Sequence, residues 1–152
     1  MQVLEIFHTV DEKNQICLKE LIELGLFGFN WVVKSSPNAQ TIAAINNGDI
    51  VGLVEFERRP VELANYMFLI EVAKPYRGGT VAGKLLAYVA NDSLSQGFGG
   101  FFFFEAKDAL LRYYIDRYGA KIARNRTLFF DETASKALIS EFLEGDGNGA
   151  KI

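Results

Sequence analysis

The chain has 152 residues, of which 49% are apolar and 13% aromatic, and carries a formal net charge of −3. This length and apolar content suit one packed domain, residues 1–152, and exclude a disordered chain. A mildly acidic balance gives no electrostatic reason to bind nucleic acid, and no run of about 18 apolar residues is present to cross a membrane.

In chain order, Val3 to Thr9 alternate loosely and read as a short first strand. The N-terminus lacks the basic flank and long apolar run of a signal peptide, so the cytoplasm is the expected compartment. Asp11 reads as an N-cap. Ile16, Leu18, Leu21, Ile22 and Leu24 form a helical apolar face that Gly25 stops. Cys17 lies in that face. As the single cysteine it cannot form an internal disulfide, and its only candidate partner base is the single histidine, His8. A buried thiol is the plainer reading. Trp31 to Val33 suggest a strand, and Ser35 to Asn38 a turn.

Asn47-Gly48 is a strong two-residue hairpin turn, flanked by strands over Thr41–Ile45 and Ile50–Phe56. Arg58-Arg59-Pro60 breaks the second arm. Tyr66 to Ala73, nearly all apolar, reads as a central strand. Thr80 to Gln96 is the longest helix, with Val81, Leu85, Leu86, Val89 and Leu94 on its apolar stripe. Phe101 to Phe104 is a short strand buried on both faces. Strand, helix and strand make a βαβ unit, so these two strands should be parallel. Asp108 caps a helix that runs to Tyr118 and closes at Gly119. Lys121–Ala123 and Thr127–Phe130 form a hairpin about Arg124-Asn125-Arg126. Thr133 to Leu143 is a last helix, and Gly145 to Ile152 a frayed tail. The sum is an α/β (mixed α+β) domain: an antiparallel meander, then a βαβ crossover, with helices on both faces of one sheet.

The chemistry centres on Arg77-Gly78-Gly79-Thr80-Val81-Ala82-Gly83, which joins a buried strand to the long helix. Glycines allow close backbone approach, and the helix N-terminus offers unpaired N–H groups and a positive dipole end. Together they suit a phosphate anion. Gly78 to Lys84 also spell the P-loop pattern G-x-x-x-x-G-K, but Leu85 stands where a Mg²⁺-holding Ser or Thr is required. No metal site is expected.

The same stretch, Tyr76 to Leu86, resembles the acetyl-CoA loop of the GNAT acetyltransferases, R/Q-x-x-G-x-G/A. Arg77 and Ala82 match its ends, and Thr80 replaces the middle glycine. Ile70-Glu71-Val72 resembles the family strand whose backbone pairs with the pantetheine arm. Ala109 to Tyr114, followed by Tyr118-Gly119-Ala120, resembles the family helix A-x-x-x-Y-Y…L-G-F/A. A subset of small bacterial and phage members carries a run similar to the F-x-A-K-x-x-L-x-x-Y-Y of Phe104 to Tyr114. The resemblance covers about Thr41 to Phe130.

It implies acetyl transfer from acetyl-CoA to a primary amine by direct attack. Arg77 to Gly83 would hold the pyrophosphate, Arg77 through its backbone N–H. Backbone donors of the splayed strand would polarise the carbonyl. Tyr114 would protonate the leaving thiolate, with Tyr113 and Tyr118 as neighbours one register slip away. The family's basic Glu falls at Tyr66, so Glu55, Glu57, Glu62, Glu71 and an ordered water relay remain open as the base. Lys84 and Lys107 either assist the phosphates or face solvent. The competing readings are a CoA-binding module of the same fold without turnover and, more distantly, a P-loop nucleotide enzyme. The amine acceptor is not legible, and an exposed sheet edge or the C-terminal hairpin would serve a homodimer.

Overall fold

The computed structural model describes residues 5–9, 22–29, 31 and 34–144. Seven strands form one sheet: β1 (Glu5–Thr9), β2 (Gln40–Asn46), β3 (Asp49–Arg59), β4 (Ala64–Val72), β5 (Phe102–Glu105), β6 (Lys121–Arg124) and β7 (Thr127–Phe130). Their spatial order is β1-β2-β3-β4-β5-β7-β6. Strands β2 to β4 form the expected antiparallel meander, β1 pairs antiparallel with β2, and β4 and β5 run parallel. The β2–β3 turn holds Asn47 at φ 56° and Gly48 at φ 85°, the left-handed pair that a tight hairpin demands. β3 outruns its expected end, continuing through Arg59 until Pro60 removes a donor.

Helix α1 (Val81–Ser95) makes the crossover from β4 to β5. Val81, Leu85, Leu86 and Val89 bury against Ile42, Val54, Phe56 and Met67 of the sheet. Each such fully buried apolar side chain contributes about 1.5–3 kcal/mol. Gly52 makes that contact possible, because a Cβ there would lie 2.6 Å from Val81 and 2.9 Å from Leu85. Phe102 and Phe130 stack beneath the helix with ring centroids 4.6 Å apart. Asn65, wholly buried, donates through Nδ2 to the Val89 carbonyl and Asp92, each at 3.1 Å, and ties the start of β4 to α1.

The helix expected from Asp108 is composite. A 3-10 turn (Asp108–Leu110), an α turn (Leu111–Tyr113) and a π turn (Tyr114–Tyr118) follow one another; together they are α2. Asp108 is the first helical residue and makes no cap; the position before it, Lys107, also lacks a side-chain cap. Gly119 closes α2 at φ 87°. Helix α3 (Glu132–Ile139) continues as a π turn (Ser140–Glu144), and its true N-cap is Asp131, which accepts from Ala134 N at 2.9 Å.

The opposite sheet face carries a second cluster, in which Phe27 and Trp31 pack on Ala43, Ile50 and Leu53. Trp31, expected in a strand, sits in a turn, its N–H donating to Phe29 O at 3.1 Å. Val32, Val33, Cys17, most of the helix expected from Asp11, and the tail from Gly145 lie outside the described residues, as does the side chain of His8. Among the described residues, no helix is long and apolar enough to cross a membrane.

Candidate active site

β4 opposes β3 along its whole length, but pairs with β5 only at Asn65↔Phe102 and Tyr66↔Phe103. The cause lies in β4 itself. Glu55 faces Leu69 and Phe56 faces Met67, so Phe68 is an extra residue, a β-bulge. A bulge bends its strand and ends regular pairing. Beyond Tyr66, β4 and β5 part, and the β5-facing backbone of β4 has no strand partner there.

Three cavities follow this wedge. The first, about 450 Å³, lies at the end of α1 and is lined by Asn46, Pro75, Tyr76 and residues 77–81. The second, about 330 Å³, shares Arg77 and Gly78 with it and runs between Ile70–Val72 and the α2 tyrosines, touching Ala82. The third, about 260 Å³, shares Phe29, Ile70, Leu110 and Tyr114 with the second and fills the wedge between Met67–Ile70 and Phe104–Lys107. The expected loop, strand and tyrosine therefore border three adjoining cavities.

At their outer end, the first helical bond is Lys84 N to Thr80 O at 3.0 Å. Gly79 closes the tight turn through Arg77 and Gly78, while the amides of Gly78 and of residues 80–83 find no acceptor among the described residues, as an anion site requires. Gly78 sits at φ +87°, where glycine is favoured. Thr80 is at φ −102°, so a side chain is tolerated where the family motif has glycine. Two loop expectations change. The Arg77 amide is engaged with Lys74 O at 3.3 Å, while its guanidinium donates to Val72 O at 2.8 Å and Glu71 at 3.3 Å. Gly83 serves packing as well, since a Cβ would meet the Phe142 ring at 2.3 Å.

At the junction of the second and third cavities stands Tyr114, with its ring edge-on to Phe104 at 5.0 Å. Its hydroxyl makes no hydrogen bond among the described residues. Burial, helped by neighbouring Tyr113, pushes its pKa up to about 12. The other two tyrosines differ: their hydroxyls lie 3.3 Å apart and bond to each other. Burial and that bond raise Tyr118 strongly.

Three of the four candidate glutamates are spent on structure. Glu55 accepts from Ser35 N at 2.7 Å and Ser35 Oγ at 2.5 Å. Glu57 accepts from Ser36 Oγ at 2.5 Å and Arg59 Nε at 2.7 Å. Its pKa falls, the Ser36 bond being the largest cause. Glu71 accepts from Gly28 N at 2.6 Å, Phe29 N at 3.1 Å and Trp31 Nε1 at 2.8 Å, and so straps residues 28–31 across the sheet face. Glu62 borders a separate cavity with Phe101 and Phe129. Lys107 lies over the Phe29 ring, 5.6 Å from its centroid. Asn46, Phe29, Met67, Phe68 and Glu105 also line the three adjoining cavities, beyond the residues expected from sequence. Only Glu105 carries a sequence signal: it follows four phenylalanines, and alternation places it on the face opposite Phe104. No His/Cys/Asp/Glu cluster suited to a metal occurs among the described residues.

Solved structures share this architecture. An acetyltransferase of the GNAT family from Staphylococcus aureus Mu50 is similar at TM-score 0.62 and 20% identity, over 85% of this chain and 99% of that one. The spermidine/spermine N-acetyltransferase SpeG of Vibrio cholerae, solved in mutant forms, is similar at TM-score 0.67 and 8% identity, covering 88% and 96%. The YhhK protein of E. coli, solved bound to coenzyme A, is similar at TM-score 0.60 and 13% identity, covering 86% and 99%. At these identities the likeness is one of fold. No curated protein sequence matches the chain. Residues 7–120, about three quarters of its length, match the model of the acetyltransferase (GNAT) family. The chain thus belongs to the GNAT acetyltransferase family, whose general chemistry is acyl transfer.

Proposed function

We propose that this protein transfers an acetyl group from acetyl-CoA to a primary amine, by direct attack, with Tyr114 as general acid. The observation that carries this reading is the row of adjoining cavities that leads from the free amides of Gly78 and residues 80–83, past Ile70–Val72, to the Tyr114 hydroxyl, which has no partner among the described residues. The loop amides would hold the pyrophosphate, and the backbone of Ile70, Glu71 and Val72 would lie along the pantetheine arm. Acetyl-CoA supplies an activated thioester. Backbone donors of the unpaired β4 edge would polarise its carbonyl. Holding both reactants in one wedge lowers the entropic part of the barrier. Tyr114, kept neutral by burial, is protonated throughout the physiological range and would donate to the departing thiolate.

Calorimetric titration with acetyl-CoA, with Mg-ATP as control ligand, tests the cofactor. Micromolar binding of acetyl-CoA, worth about −8 kcal/mol, is expected, with none of Mg-ATP. Gly79→Asp is well suited to this test, because a Cβ there meets only Tyr76 O at 3.6 Å. The introduced charge should weaken acetyl-CoA binding at least ~10-fold, about 1.4 kcal/mol. Unchanged affinity would reject the loop as the pyrophosphate site.

A further inference from the structure

We propose that Glu105 receives the ammonium of the acceptor and takes its proton, and that the acceptor is a primary amine with an apolar body. The inference rests on the acyl-transfer reading above and supplies the base which that reading lacks.

Glu105 lines the same cavity as Tyr114. The two groups reach it from opposite faces of the sheet. Phe102 and Phe104 bury in the core beneath α1, and Tyr114 packs on Phe104 from that side. Alternation sends Phe103 and Glu105 to the other face, where Phe103 meets Tyr66 at 4.9 Å. The parted strands thus have a hydroxyl on one face and a carboxylate on the other. An amine arriving on the carboxylate's face would give up its proton there while the thiolate is protonated by Tyr114, so the two proton transfers use separate groups.

Glu105 is also uncommitted. Glu55, Glu57 and Glu71 are held by the bonds described above, whereas Glu105 makes no hydrogen bond or ion pair among the described residues. Two of the cations near it have other contacts. Arg59 is bonded to Glu57 at 2.7 Å and lies over Tyr66, and Lys107 lies over Phe29. Glu105 is exposed, so an acceptor arriving from solvent reaches it. The wall there includes Phe29, Phe68 and Leu69, which offer an amine's carbon body an apolar surface, with Lys107 lying over the Phe29 ring. A desolvated ammonium beside such a wall is stable only when paired with an opposite charge.

In the step, Glu105 first takes one proton from the bound ammonium and passes it to solvent, leaving the neutral amine; it then accepts a second N–H proton as that amine attacks, directly or through a water. The nitrogen lone pair forms the bond to the acyl carbon, the C–S bond breaks, and Tyr114 gives its proton to the sulfur. Solvent then returns a proton to Tyr114 and removes one from Glu105, so the charges balance.

The test uses the full chain saturated with CoA, titrated with phenethylammonium and with its neutral analogue 2-phenylethanol. Wild-type protein should bind the ammonium at least ~10-fold more tightly, about 1.4 kcal/mol. Glu105→Gln should abolish that preference, and Glu62→Gln, at the separate cavity, should retain it. Release of CoA thiol from acetyl-CoA with phenethylamine should fall at least ~100-fold in Glu105→Gln. The assignment is overturned if wild type shows no preference for the charged ligand, or if Glu105→Gln keeps it. Lost CoA affinity in Glu105→Gln would also overturn it, by revealing a structural role. Failure of wild type to bind CoA would instead remove the acyl-transfer reading, and this assignment with it.

Discussion

On its β3 side, β4 is matched from Ala64 to Val72; on its β5 side, pairing stops after Tyr66. The β3 side makes a continuous sheet whose faces are covered by α1 and by the segment around Phe27 and Trp31. The β5 side makes the walls of a cavity. One bulged residue, Phe68, separates the two regimes. A parted pair of strands loses ladder bonds, so its walls must be fixed by other means. Here Glu71 straps residues 28–31 on one face, and α1 and α2 brace the other. The candidate site lies where the sheet opens, between these two braced faces.

That contrast can be broken from either side. The largest expected effect is at the wedge. Tyr114→Phe should lower acetyl transfer about 10²–10⁴-fold in kcat while leaving acetyl-CoA affinity within about twofold. Steady-state kinetics beside calorimetry will check this, and a full rate would reject Tyr114 as the acid. On the paired side, Glu71→Ala removes the acceptor of three donors from residues 28–31 and should destabilise the fold by on the order of 3 kcal/mol. Chemical denaturation measures it; a loss near zero would show that the strap holds nothing.

The pH dependence sharpens the difference. An unfolded tyrosine loses its proton near pH 10, and Tyr114 in the fold near about 12. The stabilisation from the neutral hydroxyl is complete below pH 10 and declines as pH rises towards 12, by about 2–3 kcal/mol. Tyr114→Phe should flatten that part of the denaturation profile, and an unaltered slope would contradict the burial argument. The smallest effect separates two glycines of one loop. Gly83→Ala crowds Phe142 and should cost a net ~1 kcal/mol, because a helix-propensity gain opposes the clash. Gly79→Ala should change stability by less than about 0.5 kcal/mol. Equal melting shifts would erase the distinction.

The local features were legible in the sequence. Asn47-Gly48 demanded positive φ at two successive residues, which only a hairpin turn supplies. The apolar stripe from Val81 to Leu94 could bury only as a helix against a sheet. The glycine loop at its start offered a candidate anion site. Each of these depends on contacts or backbone angles within a few residues.

Other features depended on partners far away in the chain. Phe68 is a bulge only because β3 offers one residue fewer opposite β4, and no pattern within β4 reports that count. Glu71 looked like a candidate base, and became a strap because the Gly28, Phe29 and Trp31 donors arrive from some forty residues earlier. Gly83 read as a phosphate residue, and also makes room for Phe142. Thr80 departed from the family motif, and its negative φ makes the departure harmless. Glu105 stood in plain view after four phenylalanines, yet its freedom is known only once every other nearby carboxylate has a partner. The sequence by itself determined most of the elements and their order, because periodicity and turn stereochemistry act locally. The tertiary structure alone decided where the sheet opens and which carboxylates beside the opening are bound into the fold, because both follow from registers and hydrogen bonds between distant segments.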